Sequence, residues 1–466
     1  MRPILEVMRR NWLFFLLATL AALALRLFFV FKMPDLSGDT FIYGDIAKAW
    51  LQHGMYAVTD NNQLRPTLIR LPGYPAFLAA IFSVFGIEHY RAVMVIQAFI
   101  DTNTCLVIAA LALELMNAKA AKAAYLLSAL CLFTAGYSAA VLTETLAIFC
   151  AAHALFYGVR GVKGLQAGRP APASWLAAGV WTAAGILLRP DGGIVLVPLG
   201  LGLIVLLFRS REKRPVLVAG TLLVIASFLP LVPWAARNWH TFHVFQPLAP
   251  RYANDPGEFV PHGFNHWVKT WMVDFVSVED IYWHVSGESV DVDQLPERAF
   301  DSYEQYDHTG DLFVEYNQQL SVDEDLDKEF EQLAQERVQH SRFRYYVWLP
   351  FLRVSNMWLR PRTELLGIEN RWWEYSKHPR QTWFAVAWGA INLFYLCAAF
   401  RGWWNWRGCL GLSGLVLIGF VLIRSAFLGT LENPEPRYVL ECFPVVLAFA
   451  GGAFARRSDA LKSPAC

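Results

Sequence analysis

Residues 1–32, MRPILEVMRRNWLFFLLATLAALALRLFFVFK, decide the fold. From about Trp12 to Phe31 the run is apolar except for Arg26, and roughly 20 residues at about 1.5 Å each cross a bilayer core of about 30 Å. The run is too long for the h-region of a cleavable signal peptide, and no small-residue cleavage site follows it. Arg2, Arg9 and Arg10 precede it, and a Lys/Arg excess beside the first span sets that end in the cytoplasm.

The rest of the chain repeats this pattern. Of its 466 residues 55% are hydrophobic and only 17% charged, with a mean hydropathy of +0.33, outside the range of ordinary soluble domains. Further apolar runs lie near 92–115, 120–137, 138–159, 174–188, 190–208, 215–235, 381–400, 409–429 and 438–455, for about ten spans in all. Lys119 and Lys122, Arg160, Lys163 and Arg169, Arg209 to Arg214, Arg401 and Arg407, and the tail residues Arg456, Arg457 and Lys462 then all fall on one side, as the positive-inside rule requires. Gly73–Gly86 is apolar but too short to span, so it reads as an interfacial or re-entrant helix. Counting it as a span would reverse every later loop. The expected fold is therefore an all-α polytopic membrane protein with cytoplasmic termini.

Two hydrophilic regions face outward: the first outer loop, 32–91, and the region 236–380. The chain divides into an N-terminal transmembrane module, 1–235, that outer region, and C-terminal spans and tail, 381–466. Residues 236–341 carry 21 Asp/Glu against 6 Lys/Arg, an acidic, solvated segment. Within it Ser321 reads as the N-cap of an amphipathic helix over SVDEDLDKEFEQLAQERVQH. The aromatic stretch FRYYVWLPFLRVSNMWL that follows suits a helix at the membrane interface. The seven cysteines avoid the acidic region and form no CxxC pair, so neither a disulfide framework nor a zinc site is expected. His262, His266, His284 and His308 lack metal-ligand spacing and read as surface residues, and His153 as core. Arg26 reads as a snorkelling or paired structural residue, Asp101 as a hydrogen-bonding partner between helices.

The topology gathers charges at the outer ends of the spans: Asp35, Asp39 and Asp45, Arg65 and Arg70, Glu144, Arg189 and Asp191, Arg237, and Glu432, Glu435 and Arg437. Charges beside apolar spans are costly unless paired or functional. On a helix starting near Ser37, Asp39 and Tyr43 share a face, and Ile42, Ile46, Ala49 and Trp50 form a stripe able to lie on the membrane. A carboxylate at that boundary is partly desolvated, which moves it toward a general base. Several arginines opposite it suit a phosphate. The pattern fits transfer from a lipid-linked phosphate donor to a hydroxyl or amine. A transporter or flippase for lipid-linked glycans, or a glycopolymer ligase, is the alternative, although no internal repeat is present.

Several motifs in order carry a family resemblance: GDTFIYGDIAKAWL (38–51), RLPGYPAFLAAIFSVFG (70–86), VLTETLAIF (141–149), LLRPDG (187–192), PWAARNWHTFHVFQPL (233–248) and PEPRYVLECFPVVLA (434–448). Together they resemble the GT-C superfamily of polyprenyl-phosphate-sugar glycosyltransferases, in particular bacterial relatives of the protein O-mannosyltransferases and of the lipid A aminoarabinose transferase. Leu71 stands where that family usually has proline, and residues 251–320 match no motif of it. The resemblance implies a GT-C-like bundle in a bacterial inner membrane, with interfacial helices in the first outer loop and its active site facing the periplasm. It implies an inverting transfer to an extracytoplasmic glycan, lipid or protein. Asp39 would be the catalytic base; Tyr43, Asp45 and Glu144 would orient sugar or acceptor; Arg70, Arg189, Arg237 and Arg437 would bind the donor phosphate. No resident metal is expected, a divalent cation being the only cofactor to consider, and the absence of a P-loop or Rossmann glycine motif agrees with a membrane-borne donor.

Overall fold

The computed structural model describes residues 2–456; Arg457, Lys462 and Cys466 of the tail lie outside the described residues. Apart from one two-stranded hairpin, every regular element among them is helical. The chain is an all-α, multi-pass membrane protein. It divides into two compact units: unit 1 holds residues up to Gly257 together with 393–423 and the segment from Leu440, and unit 2 holds 258–392 and 424–439.

Unit 1 begins with α1 (Arg2–Arg10) and α2 (Trp12–Lys32), followed by α3 (Gly38–His53), the hairpin β1 (Ala57–Asp60) and β2 (Gln63–Pro66), and α4 (Gly73–Phe85). Then come α5 (Tyr90–Leu115), α6 (Ala118–Ala129), α7 (Leu132–Tyr137), α8 (Glu144–Gln166), α9 (Pro172–Leu188), α10 (Leu196–Arg209), α11 (Arg214–Phe228) and α12 (Val232–Phe242). Six helical stretches are long and apolar enough to cross a bilayer by length and composition, and α4 and α9 are shorter apolar helices. At 13 residues α4 reaches only about 20 Å, short of the bilayer core.

Two span boundaries differ from the sequence reading. The segment 120–137 is broken between α6 and α7 at Leu130–Cys131. The guanidinium of Arg26, fully buried in α2, donates to the carbonyls of Ser128 and Ala129 at the end of α6 (3.2 and 2.9 Å). The same group binds Asp101 of α5 at 2.7 Å, so two intramembrane charges answer each other, each in the paired role expected of it. The fourth span starts at Glu144 rather than 138. Asp35 pairs with residues 139 and 141 through backbone hydrogen bonds (3.0 and 3.4 Å), and the stretch from 138 to 143 is a series of turns and bends around that bridge.

Unit 2 contains α13 (His262–Lys269), the short α14 (Phe275–Ser277), α15 (Tyr303–Gln319), α16 (Glu324–His340) and α17 (Leu349–Leu359). Thus 251–320, opaque in sequence, is largely folded: Phe264, Trp267, Trp271, Phe313 and Phe330 pack in one aromatic core. Helix α16 starts two residues later than expected, capped by the Asp323 carboxylate (3.2 and 3.0 Å to the amides of Asp325 and Leu326) and not by Ser321. Leu320 closes α15 in the left-handed region, so residues 321–322 are needed to turn the chain. In the aromatic stretch the arginines face inward. Arg353 is fully buried on the carbonyls of Met272 and Gly429 (2.8 and 3.2 Å), and Arg344 forks onto Asp301 at 2.6 and 2.7 Å.

The long α18 (Pro379–Gly429) is two helices across Gly411, whose φ of 51° and ψ of −141° only glycine adopts readily. Two spans were expected, but the break falls at Gly411, inside the expected second span 409–429, and the connection 401–408 is helical. A final helix, α19 (Phe443–Gly452), ends the described chain in unit 1.

Candidate active site

The site forms at one end of the helices of unit 1. Ser37 precedes α3, putting Asp39 in its first turn and Tyr43 one turn later on the same face. Arg70 Nη2 donates to Asp39 Oδ1 at 2.7 Å, and the guanidinium stands 5.8 Å from the Tyr43 ring centroid. The Asp39 side chain is 36% exposed and that of Arg70 19%, so the pair is open to a ligand while Tyr43 is buried beneath it. Burial pushes the Tyr43 phenol up to about 12; Arg70 and Arg189 oppose the rise, and Asp39 and Glu144 add to it. At neutral pH Tyr43 is therefore a protonated hydroxyl within the field of all four groups. Burial works against the charge of Arg70, but the phenolate form of Tyr43 and the Asp39 carboxylate outweigh it and hold the guanidinium above its ordinary range, Asp39 being the one charged at neutral pH.

The loop bearing Arg70 is held at several points. Arg237 of α12 donates to the carbonyls of Thr67 and Tyr56, both at 2.7 Å, and lies over the rings of Tyr56, Trp234 and Phe242. Asp255 accepts from the Leu68 amide at 2.8 Å and from the Thr67 hydroxyl at 3.1 Å. Tyr56 Oη donates to the Arg70 carbonyl at 2.9 Å. Next to Arg70, Gly73 lets the loop touch the end of α9: a Cβ there would sit 2.6 Å from the Leu187 carbonyl oxygen. That contact explains the GYP motif, because α9 ends at Leu188 and delivers Arg189 to the same region.

Arg189 is held by carboxylates. Its Nη1 donates to Glu144 Oε1 at 3.0 Å, and its Nε lies 3.3 Å from Asp191 Oδ1 and 3.8 Å from Glu441 Oε1. Glu144 opens α8 and is 3% exposed. Three acids thus converge on a guanidinium that fills the place a cation would take. Among the described residues no group of three or more His, Cys, Asp or Glu is arranged to hold a metal ion.

Of the residues singled out in sequence, Asp39, Tyr43, Arg70, Glu144 and Arg189 come together. Asp45 does not join them: it turns to the hairpin, accepting from the amide and hydroxyl of Thr59 (2.5 and 2.9 Å). The guanidinium of Arg237 is committed to backbone carbonyls. Arg437 lies in unit 2, ion-paired with Glu435 at 2.6 Å. Of the stripe expected on the membrane, Ile46 and Ala49 are buried and Ile42 packs against the cluster that contains Ile46, while Trp50 stays exposed.

Two further groups escaped the sequence reading. Gln97 accepts from Tyr74 Oη at 2.8 Å and donates to the carbonyls of Ser138 and Ala140 (3.2 and 2.7 Å), tying α4 and α5 to the segment before Glu144. Glu441 was legible only as an acid inside an apolar run, and Gln97 as a polar residue one turn before Asp101.

The helices carry this cluster at one end and basic residues at the other. On α8, Glu144 stands at the start while Arg160 and Lys163 lie near the end, about 25 Å along the axis. Fold and site define an all-helical membrane protein with a charged, partly buried site at one end of its bundle. Residues 65–234 match the family described as dolichyl-phosphate-mannose-protein mannosyltransferase, a range that includes Arg70, Glu144 and Arg189. The fold is similar to that of the archaeal oligosaccharyltransferase AglB from Archaeoglobus fulgidus in complex with an inhibitory peptide and a dolichol-phosphate, with a TM-score of 0.53, 13% identity, and coverage of 96% of this chain and 50% of that one. The A. fulgidus oligosaccharyltransferase tethered with an acceptor peptide gives 0.51, 12%, 96% and 50%. ArnT from Cupriavidus metallidurans bound to undecaprenyl phosphate gives 0.38, 13%, 97% and 79%. The chain spans about half the length of the oligosaccharyltransferase chains it resembles. No curated protein matches it by sequence.

Proposed function

We propose that this protein is a glycosyltransferase that moves a sugar from a polyprenyl-phosphate donor to an extracytoplasmic acceptor. The observation that carries the reading is the Asp39–Arg70 pair at 2.7 Å, open on one side and seated on a buried, protonated Tyr43. The family match over 65–234 supports it. So does the likeness of fold to an enzyme whose structure holds a dolichol-phosphate.

In the proposed step Asp39 takes the proton of the acceptor hydroxyl or amine as that atom forms a bond to the anomeric carbon. The bond from that carbon to the phosphate oxygen breaks, its electron pair leaves with the polyprenyl phosphate, and the configuration inverts. Protonation discharges Asp39 and thereby weakens its hold on Arg70 as negative charge grows on the leaving phosphate. Arg70 is thus placed to follow that charge. Tyr43 offers a neutral hydroxyl to the sugar or phosphate. The Glu144–Arg189 pair forms a rigid wall, while Asp45 and Arg237 position α3 and the Arg70 loop. The basic ends of the helices support a site that faces away from the cytoplasm, and the membrane of this reading is a bacterial inner membrane with the site on its periplasmic side.

Mass spectrometry of cell-envelope glycans and glycoproteins, with and without the gene, tests the reading. Loss of one sugar modification together with accumulation of its polyprenyl-phosphate donor is expected. An unchanged envelope with an unchanged donor pool would overturn it.

A further inference from the structure

Unit 2 contains a cleft of about 810 Å³ unrelated to the Asp39 cluster, within the size range of ligand sites. Trp373 lines it and is 49% exposed, which leaves an indole face available for stacking. Arg360, itself buried, stands 5.9 Å from the Trp373 ring centroid, and Trp372 meets the ring edge-on at 5.7 Å. The ring is therefore held in place rather than loose.

Around it carboxylates outnumber guanidinium groups, Asp274, Asp280, Asp293, Glu297 and Glu374 lining the cleft with Arg298 and Arg371. Arg371 binds Asp280 at 3.0 Å, Arg298 binds Asp274 and donates to Ser277 Oγ at 3.0 Å, and Glu374 is held by Lys377 at 2.6 Å. Groups paired in this way offer fixed donors and acceptors to hydroxyls, and the net acidic lining disfavours an anionic ligand. Gln294 adds an amide that does both. Planar carboxylate, guanidinium and amide groups around an exposed indole suit a ligand with an apolar ring face and vicinal hydroxyls.

We propose that this cleft binds a neutral saccharide chain, with a sugar ring stacked on Trp373 and its hydroxyls met by Gln294 and the Arg298–Asp274 and Arg371–Asp280 pairs. The inference goes beyond the transfer reading and does not depend on it, since binding is read without donor and without turnover.

The test uses the full chain in lipid nanodiscs on an array of short neutral hexose oligomers, uronic-acid oligomers and lysine-rich peptides. Neutral oligomers should be retained, and Trp373→Ala should weaken retention about tenfold, with Trp373→Phe intermediate. Gln294→Ala should weaken it too, which decides the matter if the Trp373 variant melts early. Asp39→Asn should bind as the parent does even if transfer is lost, so failure of the two readings can be told apart. Retention of peptides in preference to neutral sugars, no retention of neutral sugars, or equal retention by the Trp373→Ala and Gln294→Ala variants would overturn the proposal.

Discussion

Asp39 and Arg70 form one unit, because each is the partner through which the other keeps its place and charge. Asp39→Asn keeps the shape and removes the base, and transfer should fall by about 10²–10⁴-fold with the melting temperature little changed. Full transfer by that variant in a purified assay would remove Asp39 from the chemistry. Arg70 and Arg237 look alike in sequence but should behave differently. Arg70→Gln should weaken donor affinity and turnover in a protein that still folds. Arg237→Gln leaves the carbonyls of Thr67 and Tyr56 short of their donor, so it should lower the melting temperature as well as transfer. Measuring donor binding beside thermal denaturation separates the two. Equal loss of donor affinity with no loss of stability in the Arg237 variant would return it to the phosphate site.

Helix α4 is placed by contact between backbones. Gly73→Ala puts a methyl group 2.6 Å from the Leu187 carbonyl, and separating α4 from α9 should cost about 1–3 kcal/mol. Because the same shift carries Arg70 away from Arg189, transfer should drop further than stability does, which paired melts and assays would reveal. In unit 2, Asp301, just before α15, binds Arg344 of the aromatic stretch and Arg337 of α16, the latter 1% exposed. Burial works to raise its carboxyl, but hydrogen bonds from Arg344 and the charge of Arg337 outweigh that and hold it below its ordinary 3.8. A depressed carboxylate contributes stability above its unfolded pKa and loses it as pH falls through the folded value. The parent should therefore lose melting temperature on acidification below about pH 4, and Asp301→Asn should be less stable at pH 7 by about 3 kcal/mol and flatter with pH. Melts of both proteins between pH 3 and 7 check the sign.

For the whole molecule the testable quantity is sidedness. In a background without native cysteines, a cysteine at Asn61 in the hairpin should react with an impermeant reagent from outside the cell. One at Gln166, beyond the basic end of α8, should react only after permeabilisation. The reverse pattern would place the Asp39 cluster in the cytoplasm and undo the proposed supply of donor. Much of this level was legible beforehand. Apolar runs are a property of composition along the chain, so the helices could be read without tertiary information, while the alternation of basic turns is the expectation that this labelling tests. The 13-residue length of α4 was equally plain.

The sequence by itself determined the solvent of each segment, since hydrophobic length and Lys/Arg placement are local quantities that a bilayer reads one helix at a time. It also named Asp39, Tyr43, Arg70, Glu144 and Arg189, because its motifs lie at the same ends of successive spans. Only the tertiary structure decided what each guanidinium faces. Arg70 faces one exposed carboxylate, Arg189 three acids, Arg237 two carbonyls, Arg26 an intramembrane aspartate, and Arg353 the inside of unit 2. Residue type fixes the charge, but its partner is set by contacts between segments far apart in the chain. Availability to a ligand is what remains after those contacts are made.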